Sequence, residues 1–117
     1  MFTSDSVGGT PPTHFIGARY DVVLGDTGWN AETRNAGTST ANAFGVNANT
    51  TTWLKLHMYS DGNSNIVMTL NGGDPITNTA NIPTGTTGLF WGVCCGGGNS
   101  DSKMEMDMMS YQRQITR

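Results

Sequence analysis

Hydrophobic and polar side chains alternate along much of this chain, and the clearest run begins at Trp53. Trp53, Lys55, His57 and Tyr59 fall on one face and Leu54, Leu56 and Met58 on the other, a period of two that specifies a strand. After Ser60-Asp61-Gly62-Asn63-Ser64-Asn65 the alternation resumes, with Ile66, Met68 and Leu70 opposed to Val67, Thr69 and Asn71. Residues 52–72 therefore read as two antiparallel strands joined at Asp61-Gly62. Asn71-Gly72-Gly73 then supplies the positive φ that a tight turn needs.

The same reading extends in both directions. Residues 1–13, with Gly8-Gly9 and Pro11-Pro12, predict an extended N-terminal arm that lies across a neighbouring surface. A strand is expected over 14–24, with Phe15, Gly17, Arg19 and Asp21 opposite Ile16, Ala18, Tyr20 and Val22. A short strand over 29–34 and another over 39–46 follow, joined at Asn35-Ala36-Gly37. Pro75, Pro83 and repeated Thr and Asn make 74–88 connection chemistry rather than strand or helix. A buried strand is expected over 89–95. A half-buried one over 103–115 sets Met104, Met106 and Met108 against Lys103, Glu105 and Asp107. Apolar residues nowhere recur at three and four over a useful length, so very little helix is expected. Short strands with turn signals about every ten residues predict an all-β antiparallel sandwich, one domain over 14–117.

Composition narrows what such a sandwich does. A chain of 117 residues supports one core and is too short for two. Only 13% of residues are charged while 36% are hydrophobic, so neutral polar groups carry solubility, a balance typical of virion or extracellular β-proteins. The net charge of −3 provides no basic footprint, which sets aside nucleic acid and anionic membrane as partners. No stretch approaches the roughly 20 apolar residues of a membrane span. The first residues lack the basic start and apolar core of a signal peptide. Cys94 and Cys95 are adjacent and point to opposite faces of a strand, so they are expected as reduced thiols. His14 and His57 are isolated in sequence, and no metal or cofactor is expected.

Three pieces in order, residues 53–72, Leu89-Phe90-Trp91-Gly92-Val93, and 104–114, resemble the carboxy-terminal half of concanavalin A-like or laminin G-like jelly rolls. Trp53, Asp61, Gly62, Asn71, Gly72, Gly92, Asp107 and Tyr111 stand at the positions that carry the resemblance. Residues 17–37 look like the preceding strands of similar domains in bacteriophage structural proteins. Such jelly rolls need roughly 150 to 200 residues, within the ordinary size of one domain. The resemblance thus implies a reduced jelly roll whose open sheet edges are covered by neighbouring chains, hence an oligomer, with a cyclic trimer as one closed arrangement.

Candidate chemistry is sparse. Glu105 and Asp107 share a strand face about 7 Å apart, and laminarinase-type hydrolases of the resembled fold use Glu-x-Asp-x-x-Glu. The second Glu is missing here, where Ser110 and Tyr111 stand, so no catalytic residue is assigned. Asp61-Gly62-Asn63-Ser64-Asn65 looks like the start of a calcium loop but lacks the later Gly and Glu, and it reads as an Asx-rich turn. Gly96-Gly97-Gly98 precedes a strand rather than a helix, so it lacks what binds phosphate. Trp53, Tyr59 and Trp91 are the expected packing or interface anchors. Trp29, following Gly25-Asp26-Thr27-Gly28, is the expected exposed aromatic, and with Asn30 and Asp26 it forms a candidate glycan contact. The expectation is a non-enzymatic structural module of a virus particle, a bacteriophage head decoration or tail-fibre component that contacts copies of itself and neighbouring virion proteins. A carbohydrate-binding module is the alternative, and a degenerate glycoside hydrolase the second.

Overall fold

The computed structural model describes residues 2–4, 13–48, 53–84 and 94–95, the first and last of these segments as backbone. Every regular element among them is a strand: β1 Phe2–Ser4, β2 Phe15–Tyr20, β3 Asn30–Asn35, β4 Thr38–Ala43, β5 Leu56–Ser60, β6 Ile66–Leu70, β7 Ile76–Asn78 and β8 Cys94–Cys95. They form one sheet in the order β4-β3-β2-β1-β8 and a second in the order β5-β6-β7, so the fold is an all-β sandwich. β2 to β4 and β5 to β7 are antiparallel meanders, whereas β1 runs parallel to both β2 and β8. Residues 2–4 of the expected arm thus add a strand to their own sheet.

Turn chemistry accounts for the register. Ala36 and Gly37, with φ of 49° and 84°, make the β3–β4 hairpin a turn of two left-handed residues, which matches the twist of the strands it joins. Asn71 and Gly72, at 55° and 71°, close β6 in the same way. The first strand stops at Tyr20, short of the expected 24, because Asp21 caps a turn. Its Oδ1 accepts the N–H groups of Val23 and Leu24 at 2.8 and 3.2 Å, and Asp26 N–H donates to Asp21 O at 3.0 Å. Val22, Val23 and Leu24 are exposed as a result.

The two sheets meet over small residues. Ala18 and Ala31 face each other across β2 and β3, both fully buried, and the space they leave is filled by Trp29 and Leu70. Tyr20, Phe44, Val46, Leu54 and Leu56 pack around that cluster, with the Tyr20 and Trp29 rings 5.9 Å apart and tilted at 47°. Burying Leu70 alone is worth about 1.5–3 kcal/mol. From the second sheet Leu56, Met58, Met68 and Leu70 point inward, while Trp53, Lys55, His57 and Tyr59 are exposed, as the alternation predicts.

Residues 74–88 were expected to be connection, yet Ile76–Asn78 forms β7, paired with β6 from Ile66↔Asn78 to Met68↔Ile76. A buried polar residue makes this strand. Asn78 Nδ2 lies within 3.2–3.4 Å of Ala31 O, Thr33 Oγ1 and Thr40 O, and Asn78 Oδ1 accepts Asn42 Nδ2 at 2.7 Å. The Thr33 hydroxyl in turn donates to Ala80 O at 2.8 Å. These bonds tie the two sheets together where an apolar side chain would ordinarily stand. Of the expected strand over 89–95 only β8 is described, and Trp91 and the strand over 103–115, with Glu105, Asp107 and Tyr111, lie outside the described residues.

Candidate functional site

The outer face of the second sheet carries the largest exposed aromatic groups. Trp53 is 66% exposed and Tyr59 50%, so both are surface residues. Lys55 and His57 stand between them, and the His57 and Tyr59 rings are 5.6 Å apart at 44°. β5 ends the sheet: it pairs with β6 on one side, and no described strand pairs with it on the other. The direction of its backbone groups follows from Lys55, whose N–H donates to Asn71 Oδ1 at 2.9 Å and whose carbonyl accepts Asn71 N–H at 2.8 Å. Lys55, His57 and Tyr59 therefore direct their backbone toward β6, and Leu56, Met58 and Ser60 direct theirs outward.

The turn after β5 is built on Asp61. Its Oδ1 accepts the N–H groups of Asn63 and Asn65 at 2.8 and 3.2 Å, and its Oδ2 accepts Asn65 Nδ2 at 2.7 Å. The Asn65 side-chain bond, followed by the Asn63 amide, holds the Asp61 carboxyl below its ordinary value of 3.8. The carboxylate that resembled a calcium ligand is thus engaged in its own turn. Among the described residues no group of three or more His, Cys, Asp or Glu side chains comes together.

The loop before β3 and the segment after β4 border a half-open cleft of about 250 Å³ lined by Asp26, Thr27, Trp29, Asn30 and Asn47, among others. The three residues named from sequence as a glycan contact therefore border one cleft. Trp29 is not the exposed ring expected there, being only 8% exposed. Gly28 explains why: a Cβ at that position would stand 2.5 Å from Val46 O, so only glycine lets the chain press this close. Trp29 N–H then donates to Val46 O at 2.8 Å and its carbonyl accepts Phe44 N–H at 2.9 Å, which turns the ring into the core. Asn30 Nδ2 donates to Gly28 O at 3.1 Å.

Asp26 also belongs to a buried ion network that sequence reasoning missed. Its two oxygens accept Arg19 Nε and Nη2, each at 3.2 Å, and Oδ2 accepts Asp21 N–H at 2.9 Å. Arg19 Nη1 lies 3.3 Å from Glu32 Oε2, and Arg34 Nε and Nη2 reach Glu32 Oε1 at 2.9 and 2.8 Å. The Glu32 side chain is 1% exposed. Glu32 pairs with Gly17 across the sheet, and the missing side chain there leaves room for the guanidinium groups. Two cations and two carboxylates compensate one another, so both acids hold ion pairs. The signal was present as Asn30, Glu32 and Arg34 on one strand face opposite Gly17 and Arg19, but it reads equally well as a solvated face.

Compared with known proteins, no family model, curated protein or solved structure matches the chain.

Proposed function

We propose that the chain is a non-enzymatic structural module of a virus particle, a bacteriophage head decoration or tail-fibre component, built as a reduced concanavalin A-like jelly roll and working through contacts between subunits. The observation that carries subunit contact is the second sheet, where Trp53 and Tyr59 are exposed beside a strand whose outer edge pairs with no described strand. Exposed aromatics are characteristic of interface centres, and bare edges are ordinarily covered in natural proteins. The virion assignment leans on the resemblance of residues 17–37 to strands of phage structural domains, beside the jelly-roll resemblance of residues 53–72, and on the low charge content. Native mass spectrometry of the purified chain is expected to show species larger than one 12.5 kDa subunit, and proteomics of purified particles to find the chain among their components. A stable monomer absent from particles overturns the reading.

A second reading, a glycan-binding module, is favoured by the cleft that collects Asp26, Trp29 and Asn30. Its polar rim and its size suit part of a sugar ring. Because Trp29 is a core residue, Asn30→Ala is the informative variant: loss of glycan-array binding with an unchanged melting curve supports this reading, and an array with no binding removes it. A degenerate glycoside hydrolase would instead require β-glucan hydrolysis abolished by Glu105→Gln.

A further inference from the structure

We propose that β5 pairs with β5 of a second copy of this chain, antiparallel about a two-fold axis through Met58, to make one continuous sheet in the order β7-β6-β5-β5-β6-β7. The proposal rests on the reading of the chain as a subunit-contact module and names its partner. Three features of the strand specify this register.

The backbone provides the first. The N–H and C=O groups of Leu56, Met58 and Ser60 point away from β6, because Lys55 and its alternates point toward it. An axis through Met58 places Met58 opposite Met58 and Leu56 opposite Ser60, so that every outward group within β5 meets a complementary one. Those residues become the hydrogen-bonded pairs of the new ladder.

The side chains provide the second. In the same register the exposed outer face pairs Lys55 with Asp61 of the second copy and His57 with its Tyr59, and the two-fold repeats both pairs. All are non-hydrogen-bonded pairs, the closer kind, with Cα atoms about 4.5 Å apart. Opposite charges then close each end and aromatic rings fill the centre, both favourable cross-strand combinations. Asp61 is fully exposed, and its turn bonds keep it charged. Sliding the axis to His57 sets Lys55 against Tyr59, and sliding it to Tyr59 sets Lys55 against Asn63. Among the neighbouring registers, only the one about Met58 joins the opposite charges.

The third is what stands on the face itself. Tyr59, 50% exposed, stands on that face beside the edge, where in this register His57 of the second copy lies directly against its ring.

The test uses the full chain. Sedimentation velocity across a concentration series is expected to show a monomer–dimer equilibrium. Ser60→Pro removes an outward N–H that makes no bond to β6 and sits where an edge strand tolerates proline. It is expected to abolish the dimer while the far-ultraviolet spectrum stays that of the wild type, and Ser60→Ala is expected to retain the dimer. Lys55→Glu opposes like charges at both ends and is expected to raise the dimer dissociation constant about tenfold or more, most strongly at low salt. In a Cys94→Ser, Cys95→Ser background, the double replacement His57→Cys with Tyr59→Cys is expected to yield a disulfide-linked dimer under mild oxidation, since that pair spacing lies within the disulfide range. A trimer, or an assembly unaffected by both Ser60→Pro and Lys55→Glu, overturns the pairing while leaving the subunit-contact reading in place. A wild-type chain that stays monomeric at high micromolar concentration overturns the pairing, and its absence from particles would overturn the wider reading as well.

Discussion

Replacing Glu32 by glutamine is the sharpest probe of the buried ion network, because it removes one charge with almost no change of shape. In the folded chain Glu32 serves two cations: Arg34 reaches its Oε1 at 2.8 Å and Arg19 its Oε2 at 3.3 Å. Arg19 keeps a second carboxylate, Asp26, but Arg34 has no other among the described residues. Glu32→Gln therefore leaves Arg19 with Asp26 alone and Arg34 beside a neutral amide at a site where its side chain is 10% exposed. Breaking a buried pair by removing one partner costs about 3–5 kcal/mol. Against a total stability of about 5–15 kcal/mol, that loss takes a large part of the folding free energy. Urea unfolding at neutral pH, followed by near-ultraviolet dichroism, reads it directly, with an unchanged slope showing that the folded state is otherwise intact. Adding Arg34→Met removes the orphaned cation and restores one cation to one acid. The double variant is then expected to be less destabilised than the sum of the singles by about 0.5–3 kcal/mol. A loss below about 1 kcal/mol for Glu32→Gln, or strict additivity in the cycle, would falsify the claim that these charges hold one another in place.

Other expectations follow from single positions. Gly28→Ala drives a Cβ to within 2.5 Å of Val46 O and should destabilise the fold by about 1–3 kcal/mol, and an unchanged melting temperature would show that the loop relaxes freely. Ala36 occupies a left-handed conformation with φ of 49°, so Ala36→Asn, whose side chain tolerates that region, should raise stability by about 0.5–1 kcal/mol in the same urea assay. The Asp61 carboxyl is held below 3.8, so its contribution to the turn is present above that pH and lost as pH falls through the lowered folded value. NMR titration should place its midpoint below 3.8, and a midpoint at or above it would contradict the bonds drawn from Asn63 and Asn65.

What could be read from the chain was governed by local repetition. The alternation over 53–59, the Asn-Gly turn at 71–72 and the Ala-Gly turn at 36–37 all depend on neighbours in sequence, and they correspond to a strand that begins at Leu56, three residues later than expected, and to two left-handed turns. The strand from Phe15 was expected to continue to 24 because Val22, Val23 and Leu24 are apolar. It ends instead at Tyr20 because Asp21 bonds two following amides, and an Asx turn outweighs hydrophobicity where the chain must reverse. Trp29 illustrates the opposite error. A tryptophan beside a Gly-Asp-Thr-Gly loop looked exposed, but the close approach of Gly28 to Val46 that draws it inward is a contact between residues eighteen positions apart, and alternation carries no record of such contacts.

The buried polar groups of this fold share that origin, and among the described residues they hold elements together beside a small apolar cluster. β7 was hidden because Ile76-Thr77-Asn78 is too short to show a period, and its polar end belongs inside only when Ala31, Thr33, Thr40 and Asn42 are brought around it. Arg19, Glu32 and Arg34 were hidden for the same reason, since charges at alternate positions describe a solvated face until a second strand supplies their partners. Ala18 and Ala31 bring the sheets close but bury little area, so apolar transfer alone gives these sheets modest adhesion. The Asn78 hydrogen bonds, which demand one geometry, then fix how the two sheets meet, while the ion pairs tie β2, β3 and the Asp26 loop within the first sheet.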